Sequence, residues 1–358
     1  MLKECIVALL LCLLHDMSAG FKDPFLTYPT NIESIKKHLK TERPTIAVLS
    51  LYVAGKQIKE QVPKAKGCSY IAASFVRFVE TAGGRVVSLQ DNFKDDEVDE
   101  ILRRVNGAII PGGDIELLDD GYDRISKKIY DFAIAQKKKG IIWPVYAINR
   151  GAERITKLTM GIDITAPTDS TNLSLPLHLT KDARKSRLLK HAAEGIWKTL
   201  AGRPMAFHVH SRGINHEAFT NSSKMMKFYR IISTNQDRNG TVFVSTFEAK
   251  KYPIYCFQWH PEKTLFVWNP VLALDHSPDA IRVSQYLANF FLVEARKNGQ
   301  RFITREKEEA RLITRRKPTY IGNIVESPYE QIYLFKKANG STFGKNLPVG
   351  FQRGDNYM

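Results

Sequence analysis

Residues 143–154 read WPVYAINRGAER. The apolar run IIWPVYAI (141–148) stops at Asn149-Arg150-Gly151, and a segment with helical character follows. Strand, sharp turn, helix is the arrangement that displays a nucleophile in many α/β hydrolytic folds. A turn that performs covalent catalysis carries Cys or Ser at its apex. Here the apex is Asn149. The stretch therefore reads either as an active-site turn without its nucleophile or as a turn alone.

The sequence upstream supplies the frame. TIAVLSLYV (45–53) is an apolar, β-branched run that predicts a buried parallel strand. SYIAASFVRFVETAGG (69–84) places Ile71, Phe75, Phe78, Val79 and Ala82 at helical spacing and stops on glycines, which predicts a helix. RVVSL (85–89) reads as a strand, DEVDEILRRV (96–105) as a helix, and GAII (107–110) as a strand running into PGGD. GYDRISKKIYDFAIAQKKKG (121–140) predicts an amphipathic helix ending at Gly140. Strands alternating with helices indicate a doubly wound α/β fold, a mostly parallel sheet flanked by helices. Ligands bind such sheets at the carboxyl ends of the strands. PGGD and the Asn149 turn both lie at such ends and are expected to border one cleft.

Downstream the pattern is less regular. TVFVST (241–246) alternates as a strand, and YPIYCFQWHPEK (252–263) reads as a strand ending at His260. Residues 277–298 predict a long helix with Ser277 as its cap and Pro278 in the first turn. No internal repeat is evident. Residues 336–358 are polar and glycine-rich and are expected to be a flexible tail, leaving 21–335 as the folded domain.

The first twenty residues differ in kind. Lys3, the apolar run Ile6–Leu14 and the small residues Ser18, Ala19 and Gly20 make a secretory signal peptide pattern. The run is too short to span a bilayer, and no later segment is long and apolar enough, so no membrane anchor is expected. Cys5 and Cys12 lie in this leader, which leaves Cys68 and Cys256. These two are expected as buried thiols, with one disulfide as the alternative. Four Asn-x-Ser/Thr sequons, at Asn172, Asn221, Asn239 and Asn339, suit a glycosylated secreted or lysosomal chain. The formal net charge is +16. Basic runs at 137–139 and 315–317 suit a solvated face or an anionic ligand. The leader and the lack of any binding motif argue against nucleic acid.

Three local patterns could carry chemistry. QWHPEK (258–263) delivers His260 before a proline, with Glu262 two residues on. A histidine so placed can act as a base while a carboxylate orients its ring. A histidine in a plain turn is the alternative. The glycines of PGG, Gly112 and Gly113, can present backbone N–H groups to a developing oxyanion or simply make a tight turn. MAFHVH (205–210) puts His208 and His210 on one face of a strand. A metal site there would need further ligands, and none is evidently paired with them.

Together these blocks resemble the gamma-glutamyl hydrolases. YIAASFVRFVETAGGRVV, NGAIIPGGD, PVYAINRGAE, MAFH, YRIISTNQD, FVSTFEAKKYPIYCFQWHPEK and HSPDAIRVSQYLANFFLVEARKN occur in family order, from about Pro44 to about Phe335. The resemblance implies a class I glutamine amidotransferase-like fold and no cofactor. The implied reaction is hydrolysis of γ-glutamyl bonds in folate poly-γ-glutamates, by a Cys nucleophile in a Gly-x-Cys-x-Gly elbow. It assigns His260 as the catalytic histidine, Glu262 as its acidic neighbour and His208 as a histidine at the active site. Gly112 and Gly113 match the turn beside the oxyanion hole, and Gly151 and Glu153 the start of the helix after the elbow. The nucleophile position falls on Asn149 and the elbow's first glycine on Ala147. Arg150 follows the nucleophile position, where the backbone N–H serves the oxyanion hole.

A carboxamide cannot replace a thiolate, because its nitrogen lone pair is delocalised and it does not ionise near neutral pH. Cys256 lies on the strand before His260, back from the cleft mouth, and neither Cys68 nor Ser211 has a better claim. Asn does tolerate positive φ better than most residues, so the elbow's shape is expected to survive. The expected function is a γ-glutamyl hydrolase homologue with impaired catalysis that retains a γ-glutamyl ligand site. An active hydrolase with a non-standard nucleophile and a non-enzymatic secreted protein with a vestigial cleft are the alternatives. The oligomeric state is left open, with a homodimer among the options.

Overall fold

The computed structural model describes residues 38–53, 56–113, 120–324 and 327–336. The leader, the Asn339 sequon and residues 337–358 lie outside the described residues. Lys336 still pairs within a strand, so the expected tail starts no earlier than 337.

The principal sheet has eight strands: β1 (Thr45–Leu49), β4 (Arg85–Leu89), β5 (Gly107–Ile110), β6 (Val145–Ile148), β8 (His178–Leu179), β10 (Tyr229–Gln236), β11 (Val242–Ala249) and β12 (Ile254–Phe257). Their spatial order is β4-β1-β5-β6-β12-β11-β10-β8. The pairings from β4 through β12 are parallel, and those from β12 through β8 are antiparallel. The parallel strands β1, β5, β6 and β12 are buried along their whole length, as strands covered on both faces must be. The fold is thus α/β with a mostly parallel sheet. The α-helices among the described residues are α1 (Lys56–Gln61), α2 (Ala73–Glu80), α3 (Asp95–Leu102), α4 (Asp120–Lys138), α5 (Arg150–Met160), α6 (Glu194–Gly202), α7 (His216–Asn221), α8 (Ser223–Phe228), α9 (Pro278–Arg296) and α10 (Arg305–Arg311). The apolar core runs from Ile46 to Phe335.

Several expected boundaries move. The run 45–53 is two strands, not one. It breaks at Ser50, whose hydroxyl bonds Ser69 and Asp91, and Leu51–Tyr52 (β2) enters a second sheet. That sheet has the order β13-β14-β3-β2, with β3 Cys68–Ala72, β13 Thr319–Tyr320 and β14 Gln331–Lys336. The expected helix 69–84 is therefore a strand followed by the shorter helix α2. All five residues of β3 are buried, and a buried run whose one polar residue is Ser69 fits either period. The strand expected to end at His260 leaves the ladder after Phe257. Gln258 N–H still reaches Ser245 O, but His260 N–H turns to Phe207 O at 2.9 Å. Two long strands pair antiparallel as a separate ribbon: β7 (Thr165–Leu175), unmarked in the sequence, and β9 (Ala206–Ile214), which contains the strand expected at MAFHVH.

Other expectations stand as read. The Ser277 hydroxyl accepts from Ala280 N–H at the start of α9, and Gly140 ends the α4 region at φ 77°. Cys68 and Cys256 are free, buried thiols. No helix among the described residues is long and apolar enough to cross a membrane.

Candidate functional site

The carboxyl ends of β5, β6 and β12 converge where the sequence placed its turns. After β6 the chain reverses at Asn149, with φ 53° and ψ −115°. That backbone is the one the first central residue of a type II′ turn adopts, usually a glycine, and it strains any residue with a Cβ by about 1–3 kcal/mol. Asn149 is also the N-cap of α5, its carbonyl accepting from Ala152 and Glu153 N–H. Its side chain turns back on the turn. Oδ1 accepts from Arg150 N–H at 2.8 Å, and Nδ2 lies 3.4 Å from Gln258 O. Gly112 packs directly on this side chain: a Cβ there would lie 2.4 Å from Asn149 Cβ. A Cβ on Gly151 would lie 2.1 Å from Ile110 O.

Asn149, Arg150, Glu153, Gly113, His210 and His260 line one cleft of about 390 Å³. Ile324, Ser327–Tyr329, Ser211 and Thr171 line the same cleft. Gly112 and Glu262 stand behind the lining. His260 Nδ1 is 2.9 Å from Glu262 Oε1, and both residues are buried. A carboxylate only accepts, so Nδ1 carries the proton and Nε2 is left with its lone pair. Burial pushes the His260 imidazole below its ordinary range, against the pull of Glu262, so the ring is a neutral base. Burial pushes the Glu262 carboxyl up, but His260 and Lys263 together outweigh it and hold the carboxyl low.

His208 is wholly buried behind the cleft. Its Nδ1 is 3.1 Å from His210 Nε2, and His210 Nδ1 is 3.0 Å from Thr168 Oγ1. Burial, with the neighbouring histidines, drives both rings down, His210 to about 3. A folded pKa below the unfolded one means that the unfolded chain binds more protons in between, so stability falls as pH drops through about 6.5. For His210 alone the loss from about pH 8 to about pH 5 is roughly 2 kcal/mol. Urea unfolding at those two pH values is expected to show at least this loss, and His210→Gln to remove that share of it. Equal pH dependence in both proteins would contradict the assignment.

Arg150 does not stand alone: its guanidinium is 3.1 Å from Glu153 Oε2 while remaining at the cleft. Burial pushes the Glu153 carboxyl up, and Arg150 and Gln258 oppose this. Gln258 Nε2 donates to Glu153 Oε1 at 2.9 Å, tying α5 to the segment after β12. Cys256 is fully buried and its thiol is pushed well above the ordinary range by burial, so it is no nucleophile. Ser211 lines the cleft but is not hydrogen-bonded to a histidine among the described residues. No group of three or more His, Cys, Asp or Glu among the described residues could hold a metal ion.

Two features were not read from sequence. Lys263 is wholly buried, 3.9 Å from Glu262 Oε1, over the Tyr329 ring and donating to Pro328 O at 2.7 Å. Burial lowers it to about 8. Part of the cleft lining comes from Ile324, Ser327, Pro328 and Tyr329, more than 60 positions beyond His260, with no local motif to announce it.

The peptidase C26 family profile matches residues 44–262, which contain the Pro-Gly-Gly turn, the Asn149 turn and the His260–Glu262 pair. The chain belongs to this family, that of the gamma-glutamyl hydrolases. It is 38% identical to the gamma-glutamyl hydrolase of Mus musculus over 326 residues, covering 91% of this chain and 98% of the relative. Against that of Homo sapiens it is 32% identical over 328 residues, again 91% and 98%. Gamma-glutamyl hydrolase B of Dictyostelium discoideum is 34% identical over 278 residues, covering 77% and 80%. Among solved structures, a glutaminase domain of Trypanosoma brucei CTPS with bound acivicin is similar at 14% identity and TM-score 0.45, covering 71% of this chain and 95% of that one.

Proposed function

We propose that this member of the gamma-glutamyl hydrolase family binds a poly-γ-glutamyl folate or a similar γ-glutamyl ligand in the cleft and does not hydrolyse it at a useful rate. The observation that carries the reading is Asn149. It occupies a strained strand-to-helix turn that faces a cleft shared with a neutral, carboxylate-held His260. That turn is where a nucleophile belongs, and a carboxamide cannot attack. The side chain also blocks the second element of such catalysis. Oxyanion stabilisation needs backbone N–H groups that are free for the developing charge. Arg150 N–H is already donated to Asn149 Oδ1 at 2.8 Å. The site therefore lacks the attacking atom, and its own amide holds one of the donors.

Binding is a separate matter. Arg150 at the cleft can be exchanged from Glu153 to a ligand carboxylate, and bidentate pairing suits that role. The leader pattern and the exposed sequons at Asn221 and Asn239 support secretory or lysosomal delivery. Asn172 is half-buried, with both its amide atoms bonded to the backbone of residues 271–273. Calorimetric titration with an oligo-γ-glutamate, with free glutamate followed in the same sample, tests the proposal. Heat of binding without release is expected; release, or no binding, contradicts it.

A further inference from the structure

The largest exposed aromatic of the described residues is Trp268, 61% exposed. Its indole is not loose. It stacks face to face on the His276 ring, with centroids 3.9 Å apart and planes 9° from parallel. His276 is fixed in turn, Nδ1 donating to Thr264 O at 2.8 Å. Trp268 N–H donates to Glu330 Oε1 at 2.7 Å, and Asn269 Nδ2 to Ser327 O at 3.2 Å; Ser327 is on the cleft wall. On the opposite side Asn172, next to the cleft residue Thr171, clamps the same loop. Its Nδ2 donates to Val271 O at 2.9 Å and its Oδ1 accepts from Ala273 N–H at 2.7 Å. The loop 268–273 is thus bonded to Ser327 of the cleft lining and to Asn172, the neighbour of the lining residue Thr171, and it carries a stacked indole open to solvent. An exposed aromatic held this firmly has already lost the side-chain freedom that binding would otherwise cost.

We infer that Trp268, backed by His276, is a rim subsite that stacks a planar aromatic group attached to the γ-glutamyl ligand. This rests on the ligand class proposed above and adds the part of the ligand that the rim reads. A flat ring against an indole gains offset-stacking attraction beyond area burial. The other tryptophans, Trp143, Trp197 and Trp259, are buried, so quenchable emission reports Trp268.

The test compares a pteroyl oligo-γ-glutamate with the same oligo-γ-glutamate lacking its pteroyl group, by calorimetry and tryptophan quenching on the full chain. The wild type is expected to bind the pteroyl form more tightly, with Trp268 emission quenched. Trp268→Ala is expected to weaken the pteroyl form roughly 5- to 10-fold and the ring-less form less than about 2-fold, and Trp268→Tyr to keep most of the difference. Equal weakening of both ligands, or of neither, overturns the subsite while leaving the γ-glutamyl reading intact. A wild type that binds neither ligand overturns both. An indole already shielded from acrylamide without ligand, as contact with a second copy would cause, overturns the subsite alone.

Discussion

Asn149→Cys is expected to gain glutamate release from a pteroyl poly-γ-glutamate by about a thousandfold over the unaltered chain. The substitution supplies a thiol at the apex of the turn, on the same cleft as His260. His260 is ready to accept its proton, since Nδ1–H is held by Glu262 at 2.9 Å and burial keeps the ring neutral. Removing the amide also returns Arg150 N–H to the cleft, because its acceptor is Asn149 Oδ1. The backbone strain is common to both residues, and losing the side-chain cap costs about 1 kcal/mol, so the variant is expected to fold. Adding His260→Ala to it is expected to abolish the gain. A folded Asn149→Cys protein without release would show that the apex residue is not the only defect, and would turn attention to Ala147 and Arg150.

The second large effect is on stability. Gly151→Ala is expected to cost about 3 kcal/mol, at the upper end for an overpacked interior. The added Cβ would meet Ile110 O at 2.1 Å and Ile110 C at 2.9 Å, both backbone atoms, so no rotamer change relieves the contact. Helix α5 would have to lift from β5, and the turn at Asn149 would move with it. Gly202→Ala is the control: nothing lies within 4 Å of its Cβ position. Urea unfolding is expected to show a lowered midpoint with unchanged slope for Gly151→Ala, and no loss for Gly202→Ala. A loss below about 0.5 kcal/mol at Gly151 would mean that the helix start is less tightly seated than the structure has it.

Both effects depend on a turn that is legible in the sequence. An apolar run stopped by Asn-Arg-Gly before a helical segment states strand, turn and helix in adjacent residues. The positive φ at Asn149 follows from that geometry. His260 and Glu262 are legible for the same reason: they are two residues apart after an apolar run. What is not legible depends on distant partners. β3 is buried on both faces, with Ser69 its one polar residue, so its period cannot separate strand from helix; pairing with β2 and with β14, over 250 residues later, decides it. The break at Ser50 is set by hydrogen bonds to Ser69 and Asp91, not by a turn residue. Lys263 looks like an ordinary surface lysine until Pro328 and Tyr329 close over it. β7 mixes polar and apolar residues, and it pairs with β9 through two register shifts, which erases a simple alternation.

On the reading proposed above, Asn149 leaves a well-formed cleft without hydrolytic chemistry. The most direct test is glutamate release from a pteroyl poly-γ-glutamate by the purified, unaltered chain, run alongside His260→Ala. No release above the His260→Ala background is expected at enzyme concentrations that exceed substrate. Release by the unaltered chain that disappears in His260→Ala would contradict it and would mean that another nucleophile, or water, works in this cleft.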